Sequence, residues 1–319
     1  MRIATFNIEN LDSPVEPRLA VLRPALARIS ADVLCLQEVN GQRISGQRDR
    51  SLEALDQLLA GTPYASYNRS ESRAAGRNGP ADVHNLVTLS RYPIVSERQL
   101  LHDYVPALEM RQITAAPASE APAAIRFERP ALVTGLDVGG CVLTVVNVHL
   151  RAPIASPIAG QKQGAYAWKQ TGAWAEGYYH SGIKRIGQAL ELRLLAEALF
   201  DADPMARIVI TGDFNAEINE TPLRLLAGAP EDTGNTDLAA RALVVLDRGL
   251  EVSRRFSVVH HGRPQMLDHM LVSHAMLGRF KSIEVHNEAL GDEAIGYAKG
   301  VEAAGSYHAA LVATFDNEI

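Results

Sequence analysis

Cysteine is nearly absent from this chain: among 319 residues there are two, Cys35 and Cys141, each inside an apolar, strand-like run. That excludes a disulfide framework and a cysteine-ligated zinc site, and fits buried thiols in a reducing compartment. Positive charge is not in excess either, since 31 Lys and Arg stand against 37 Asp and Glu, a net charge of −6. A surface that grips nucleic acid all over by neutralising phosphates is thereby excluded. A local basic cleft is not, nor is a substrate whose charge is met by a metal ion. No apolar run approaches the length that spans a bilayer. The chain opens directly on the strand-like Met1-Arg2-Ile3-Ala4-Thr5-Phe6, without the charged and apolar regions of a signal peptide. The expectation is a cytoplasmic, monomeric protein with no stable membrane association, a leader removed ahead of residue 1 being left open. No repeat recurs at a fixed period and no linker divides the chain, so residues 1–319 read as a single domain.

What the chain does have is a series of apolar runs that stop in polar residues. Ile208-Val209-Ile210-Thr211 ends in Gly212-Asp213-Phe214-Asn215. If the strand stays extended, Asp213 and Asn215 share one face while Phe214 points back into packing. Alone, such a tetrapeptide reads first as an Asx-type turn. Other runs end in the same manner. Arg2 to Ile8 leads into Asn7 and Glu9, which share a face. Ala31 to Leu36 is an apolar run of the kind covered on both sides, and it ends in Gln37-Glu38. Cys141 to Leu150 alternates and places Asn147 and His149 on its polar face, after a hairpin at Gly139-Gly140. A strand at Met266 to Val272 carries Asp268, and His308 introduces the last strand.

Helical spacing appears at Leu19, Leu22, Leu26 and Ile29, and most strongly from Lys184 to Phe200. Two stretches lack periodicity and read as long loops, near 103–130 and 151–182. The second holds both tryptophans, Trp168 and Trp174, with Tyr166, Tyr178, Tyr179, Lys162 and Lys169. Loops of that length tend to be lids or recognition elements.

Asn7, Glu9, Glu38, Asn147, His149, Asp213, Asn215, Asp268 and His308 thus all lie at strand ends. Carboxylates, carboxamides and imidazoles without thiolates suit a hard, oxygen-preferring cation such as Mg²⁺ or Mn²⁺, with neutral donors left for a phosphate. The ordered series Thr5-Phe6-Asn7-Ile8-Glu9-Asn10, Leu36-Gln37-Glu38-Val39, Leu89-Ser90-Arg91-Tyr92-Pro93, Asn147-Val148-His149-Leu150, Gly212-Asp213-Phe214-Asn215, Leu267-Asp268-His269 and Ser306-Tyr307-His308 resembles the endonuclease/exonuclease/phosphatase superfamily, the DNase I-like metal-dependent phosphoesterases.

The resemblance implies an α/β (α+β type) fold, a four-layer α/β/β/α sandwich of two mainly antiparallel sheets flanked by helices, with the active site at one rim. It implies Glu38 as principal metal ligand, with Asn7 beside it and Glu9 as a further or outer ligand, for Mg²⁺, Mn²⁺ or Ca²⁺. Asp213 would orient or deprotonate the attacking water, with Asn215 holding it and the phosphate in place. His308, held by Asp268, would contact the scissile phosphate, and His149 would lie near the leaving oxygen. Asn147 and Asn85 are lesser candidates for phosphate contact. Tyr307 stands where the family usually has an acidic residue, which favours one metal ion over two. Its ring either turns into the core or offers a phenol to the phosphate.

The substrate is less determined, because loops choose it. A nuclease or nucleic-acid phosphodiesterase, acting on DNA or RNA, fits His149 and the aromatic and basic 151–185 stretch. Those aromatics fit equally a lid packed on the sandwich. The alternative is a phosphatase or phosphodiesterase for a small phosphorylated metabolite, inositol phosphate or lipid headgroup. A non-enzymatic binder on the same fold would be favoured by missing ligands.

Overall fold

The structure, a computed structural model, describes residues 1–300 and 304–316. The expected domain of 1–319 therefore includes 301–303 and 317–319, which lie outside the described residues. In chain order the main elements are β1 (Arg2–Leu11), α1 (Glu16–Ile29), β2 (Val33–Val39), α2 (Glu53–Leu59), β3 (Asn68–Glu71), β4 (Asn85–Ser90), β5 (Ile94–Leu100), β6 (Ala131–Val138) and β7 (Cys141–His149). There follow α3 (Thr171–Ala202), β8 (Arg207–Asp213), α4 (Thr221–Ala227), β9 (Val244–Val245), β10 (Asp268–Val272), β11 (Phe280–Val285), α5 (Glu293–Ala298) and β12 (Leu311–Phe315).

The strands form two six-stranded sheets, ordered β11-β12-β1-β2-β4-β3 and β9-β10-β8-β7-β6-β5. Each is antiparallel except for one parallel pair, β1 with β2 and β7 with β8. A parallel pair needs a long crossover, and the crossovers here are α1 and α3. The layers follow from alternation. Ile3, Val33, Cys35, Val145, Val209, Met270 and Leu311 pack between the sheets. Ala4, Phe6, Ile8, Leu34 and Leu36 face α1 and α2, whereas Val146, Val148, Ile208, Ile210 and Phe214 face α3 and α4. The expected four-layer α/β/β/α sandwich is present.

Both long loops contain structure that periodicity did not reveal. Within 103–130, Leu108–Met110 pairs with Ala123–Ile125. The 151–182 loop ends early, because α3 begins at Thr171 and runs for 32 residues. Its first turns bury Ala173, Glu176, Gly177, His180 and Ser181, helical spacing in which the inward face is small or polar. Glu176 accepts hydrogen bonds from the backbone N–H groups of Ile113 (2.5 Å) and Thr114 (2.8 Å), so this face binds a loop instead of an apolar core. At Gly177 a Cβ would stand 2.3 Å from the Ser156 carbonyl oxygen; glycine lets the 153–157 strap lie directly on the helix.

Candidate active site

The sheet registers decide which strand-end residues meet. His149 is opposite Asp213 across β7 and β8, and Asp213 is opposite Asp268 across β8 and β10, so three of the expected site residues occupy one rung. Each continues the face buried between the sheets: Val145 then His149, Val209 then Asp213, and Val272, Met270 then Asp268. From the other sheet, Asn7 continues the face of Ile3 and Thr5 and reaches across, its Nδ2 donating to Glu38 Oε1 (3.3 Å) and Asp213 Oδ2 (3.1 Å). Gly212, with φ 147°, makes the close pairing of β7 and β8 feasible, since a Cβ there would stand 1.9 Å from the Val148 carbonyl oxygen.

Around that rung the geometry is tight. His149 Nε2 lies 3.4 Å from Asp213 Oδ2 and 3.7 Å from Glu38 Oε1. His308 Nδ1 is 2.8 Å from Asp268 Oδ2, and its Nε2 is 3.9 Å from Asp213 Oδ2. Asn10 N–H donates to Glu38 Oε2 at 3.1 Å. Glu9, Asn10, Glu38, His84 and Asn215 all have positive φ, between 46° and 61°. Non-glycine residues rarely adopt that conformation, and such strain collects at functional sites.

The charges are set by burial and by one another. Burial, with the neighbouring carboxylates of Asp268 and Glu38, pushes Asp213 up to about 7, against the opposing pull of His308 and the Asn215 N–H. A carboxylate raised this far can hold or release a proton near neutral pH. Burial alone would lower His308, but Asp268, Asp213 and Glu38 together raise it well above the ordinary histidine value, so its imidazolium persists. His149 goes the other way: burial first, then Arg129, His84 and His308, hold it well below the ordinary value. Asp213 thus stands between a neutral imidazole on its own rung, His149, and a cationic one, His308, that reaches it from the other sheet's side of the rim.

Not every expected residue joins this group. Asn147 shares His149's face but lies two residues deeper, fully buried. Its Oδ1 accepts from Gln37 Nε2 (2.7 Å), and its Nδ2 donates to the carbonyls of Leu36 (3.1 Å) and Val87 (3.0 Å), stitching the sheets together. Asn85 is likewise engaged by its own loop, bonding the backbone of Ala81 and Val39. Neither presents its amide to a phosphate. Glu9 turns aside: its oxygens accept from the Tyr297 hydroxyl (2.8 Å) and the Tyr307 N–H (2.7 Å). The Tyr307 ring turns inward over α5, where a Cβ on Gly296 would collide with its phenol oxygen at 1.8 Å. Asn215 does not extend β8. Its N–H caps Asp213 Oδ1 (2.8 Å), and its Nδ2 holds the Leu150 carbonyl (3.1 Å). The Asx turn and the functional carboxylate are the same residue.

Three residues join that the sequence did not single out. His84 stacks on His149, with ring centroids 5.8 Å apart and planes 2° from parallel. It stands at a strand mouth beside Asn85, the same signal that marked the others. Arg129 comes from the 103–130 segment, and its charge acts on Glu38, Asp213 and His149. Its Nη1 is buried and has no hydrogen-bond partner among the described residues. Tyr297, which holds Glu9, comes from α5, a short helix with no local mark of function.

The donors fit a divalent cation. Glu38, Asp213 and Asp268 crowd three carboxylates beside the Asn7 carboxamide, and Asp268 Oδ1 is buried without a hydrogen-bond partner among the described residues. The His308 imidazolium balances only part of that charge, and the remainder, with the buried Asp268 Oδ1, suits a divalent cation.

Clustered carboxylates and imidazoles that could hold a metal ion, at the rim of a two-sheet sandwich, are the features of a phosphoester hydrolase. Residues 4–308 match the sequence profile of the Endonuclease/Exonuclease/phosphatase family, and the chain belongs to that family. No curated protein sequence matches the chain. Among solved structures, a family member from Leptotrichia buccalis C-1013-b is similar at 14% identity and TM-score 0.55, covering 99% of each chain. An AP endonuclease from Archaeoglobus fulgidus gives 15% and 0.52, again covering 99% of each chain. The 3'-5' exonuclease from Neisseria meningitidis gives 17% and 0.53, covering 99% of this chain and 100% of that one. At these identities the likeness is one of fold.

Proposed function

We propose that this protein hydrolyses phosphodiester bonds of nucleic acid by in-line attack of water, with Mg²⁺ or Mn²⁺ as cofactor, and that residues 1–319 act as one monomeric domain. The observation that carries the substrate reading is the cleft beside the rung. Two residues beyond His149, Arg151 begins an open cleft of about 470 Å³ lined by Ile154, Lys162, Tyr166, Trp168, Trp174 and Tyr178. Tyr166 is 88% exposed and Trp174 44%, and Lys162 Nζ stands 4.4 Å above the Trp168 ring. Exposed rings with cations between them suit stacked bases and a phosphate backbone. A small-metabolite phosphatase needs an enclosed pocket instead. The cavity between Arg129, His149 and α3 measures about 10 Å³, room for about one water. The AP endonuclease and the 3'-5' exonuclease of the same fold lend support.

In this mechanism Glu38 and Asn7 would hold the cation, and it would supply positive charge to offset that of the phosphate. Asp213 aligns the water and takes its proton. The His308 imidazolium, kept cationic by Asp268, faces the growing charge on the equatorial oxygens, and Arg129 supplies a second fixed charge. His149 lies on the leaving-group side. Hydrolysis of bis-p-nitrophenyl phosphate that disappears with EDTA and in Asp213→Ala is the first test. A panel of plasmid DNA, single strands, RNA, nucleotides, inositol phosphates and phospholipids, each with Mg²⁺, Mn²⁺ and Ca²⁺, is the second. Turnover confined to the small phosphates or lipids overturns the nucleic-acid reading.

A further inference from the structure

Beside the carboxylate-rich rung lies a second, chemically different group. Glu38, His84 and His149 each offer one donor atom, and these lie within 4.8 Å of one another. The group owes its existence to tertiary structure: Glu38 is carried by β2, His84 stands just before β4 and His149 ends β7. Two of the three, His84 and Glu38, are held at left-handed backbone positions (φ 61° and 60°). The backbone N–H of His84 is fixed by Asn40 Oδ1 at 3.1 Å. Stacking then sets the His84 ring against His149. His149 carries two nitrogens of different surroundings: Nε2 lies between two carboxylates, and Nδ1 is buried with no hydrogen-bond partner among the described residues. An unsatisfied buried ring nitrogen is costly and calls for an explanation.

We infer that Glu38, His84 and His149 form a site for a borderline transition-metal ion such as Zn²⁺ or Co²⁺, distinct in donor chemistry from the hard-cation site of Asn7 and Glu38. Two imidazoles and one carboxylate bind ions of the zinc class far better than Mg²⁺, which prefers oxygen and keeps its waters. Three protein donors leave further positions open for water or a phosphate oxygen. Glu38 belongs to both groups, so the two ions share its carboxylate or compete for it. The two histidines then decide for the softer ion. This inference concerns binding alone and does not depend on the substrate proposed above.

The test is equilibrium dialysis of the metal-stripped full-length chain against Zn²⁺ in a large excess of Mg²⁺, with metal content measured directly. Wild type is expected to retain about one Zn²⁺ per chain. His84→Asn, which tolerates the left-handed backbone, is expected to weaken retention at least tenfold. His308→Asn is expected to leave it unchanged, because His308 belongs to the Asp213–Asp268 group. In parallel, Co²⁺-loaded wild type should show two hyperfine-shifted imidazole N–H resonances in its proton spectrum, a reading that needs no variant to fold. The inference is overturned by failure of wild type to retain Zn²⁺ against Mg²⁺, by equal retention in His84→Asn, by loss in His308→Asn, or by a Co²⁺ spectrum without histidine signals.

Discussion

His308 and Asp268 meet at 2.8 Å, Nδ1 to Oδ2, although 40 residues separate them in sequence and His308 leads into β12 of one sheet while Asp268 begins β10 of the other. The pair spans the rim, and its carboxylate keeps a buried imidazole charged against the burial that would neutralise it. Asp268→Asn keeps the shape and removes the charge. Phosphodiesterase activity is expected to fall roughly 100-fold, in line with the loss of a partner that orients and charges a functional histidine. The alkaline limb of the rate profile should also move to lower pH, since His308 would lose its proton sooner. An unchanged alkaline limb would show that the imidazolium is not used.

Arg129 brings a buried guanidinium to the same rim with one nitrogen unpartnered among the described residues. Burial lowers its pKa, yet arginine stays charged at any working pH, so its charge is fixed in place. Arg129→Ala is expected to lower kcat/KM by about 10- to 100-fold, an effect of the size of one lost charge-assisted hydrogen bond. Steady-state kinetics at saturating metal, with circular dichroism to check folding, measures it. A change under twofold would remove Arg129 from the site.

Gly212 is the one position of β8 that accepts no side chain. A methyl group there would meet the Val148 carbonyl at 1.9 Å on a backbone with φ 147°. Gly212→Ala should destabilise the fold by at least ~3 kcal/mol, because strain and collision add and neither neighbour is the end of a flexible chain. Denaturant unfolding reads this directly. A variant within ~1 kcal/mol of wild type would mean that β7 and β8 can separate cheaply.

His269, one residue past Asp268, points to the opposite face, where Nδ1 meets Asp247 Oδ2 and Nε2 meets the Ala216 carbonyl, each at 2.9 Å. Both nitrogens face acceptors. Burial would lower its pKa, but Asp247 and the Ala216 carbonyl raise it above 6.5. A raised folded-state value means that the contribution to stability is fully present below about pH 6.5 and is lost as pH rises through the folded value. Wild type should therefore lose stability relative to His269→Gln as pH is raised from about 6 to 9. Urea melts across that range test this, and parallel curves for the two proteins would contradict it.

Much of the site was legible because alternation is a local property of a strand. Ile3-Thr5-Asn7 and Val209-Thr211-Asp213 each continue a buried face to a polar end, and both ends reach the rim. The same rule misjudged Asn147. It shares His149's face, but a face does not specify depth, and two residues of strand place the amide against Gln37 inside the sandwich. Asn215 fell on the wrong side because the backbone leaves the strand at Asp213 and turns left-handed. The first turns of α3 stayed hidden because their buried face is Glu176, Gly177, His180 and Ser181, which carries no apolar period.

By itself the sequence determined the class of fold, through its ordered family motifs, and the strand ends whose polar residues Asn7, Glu38, His149, Asp213, Asp268 and His308 meet at one rim. The strands and their polar ends follow from short-range periodicity, whereas the fold class follows from the resemblance that the ordered series of motifs carries. Only the tertiary structure decided that Asn147 and Asn85 are ties within the fold, that Glu9 is held by Tyr297, and that His84 and Arg129 enter the site. Those outcomes depend on register between strands far apart in sequence and on loops such as 101–130, where His102 stacks on Phe127 with centroids 3.9 Å apart and directs the chain toward Arg129. Contacts of that separation have no local signature, because the partners that fix them are supplied by the folded chain.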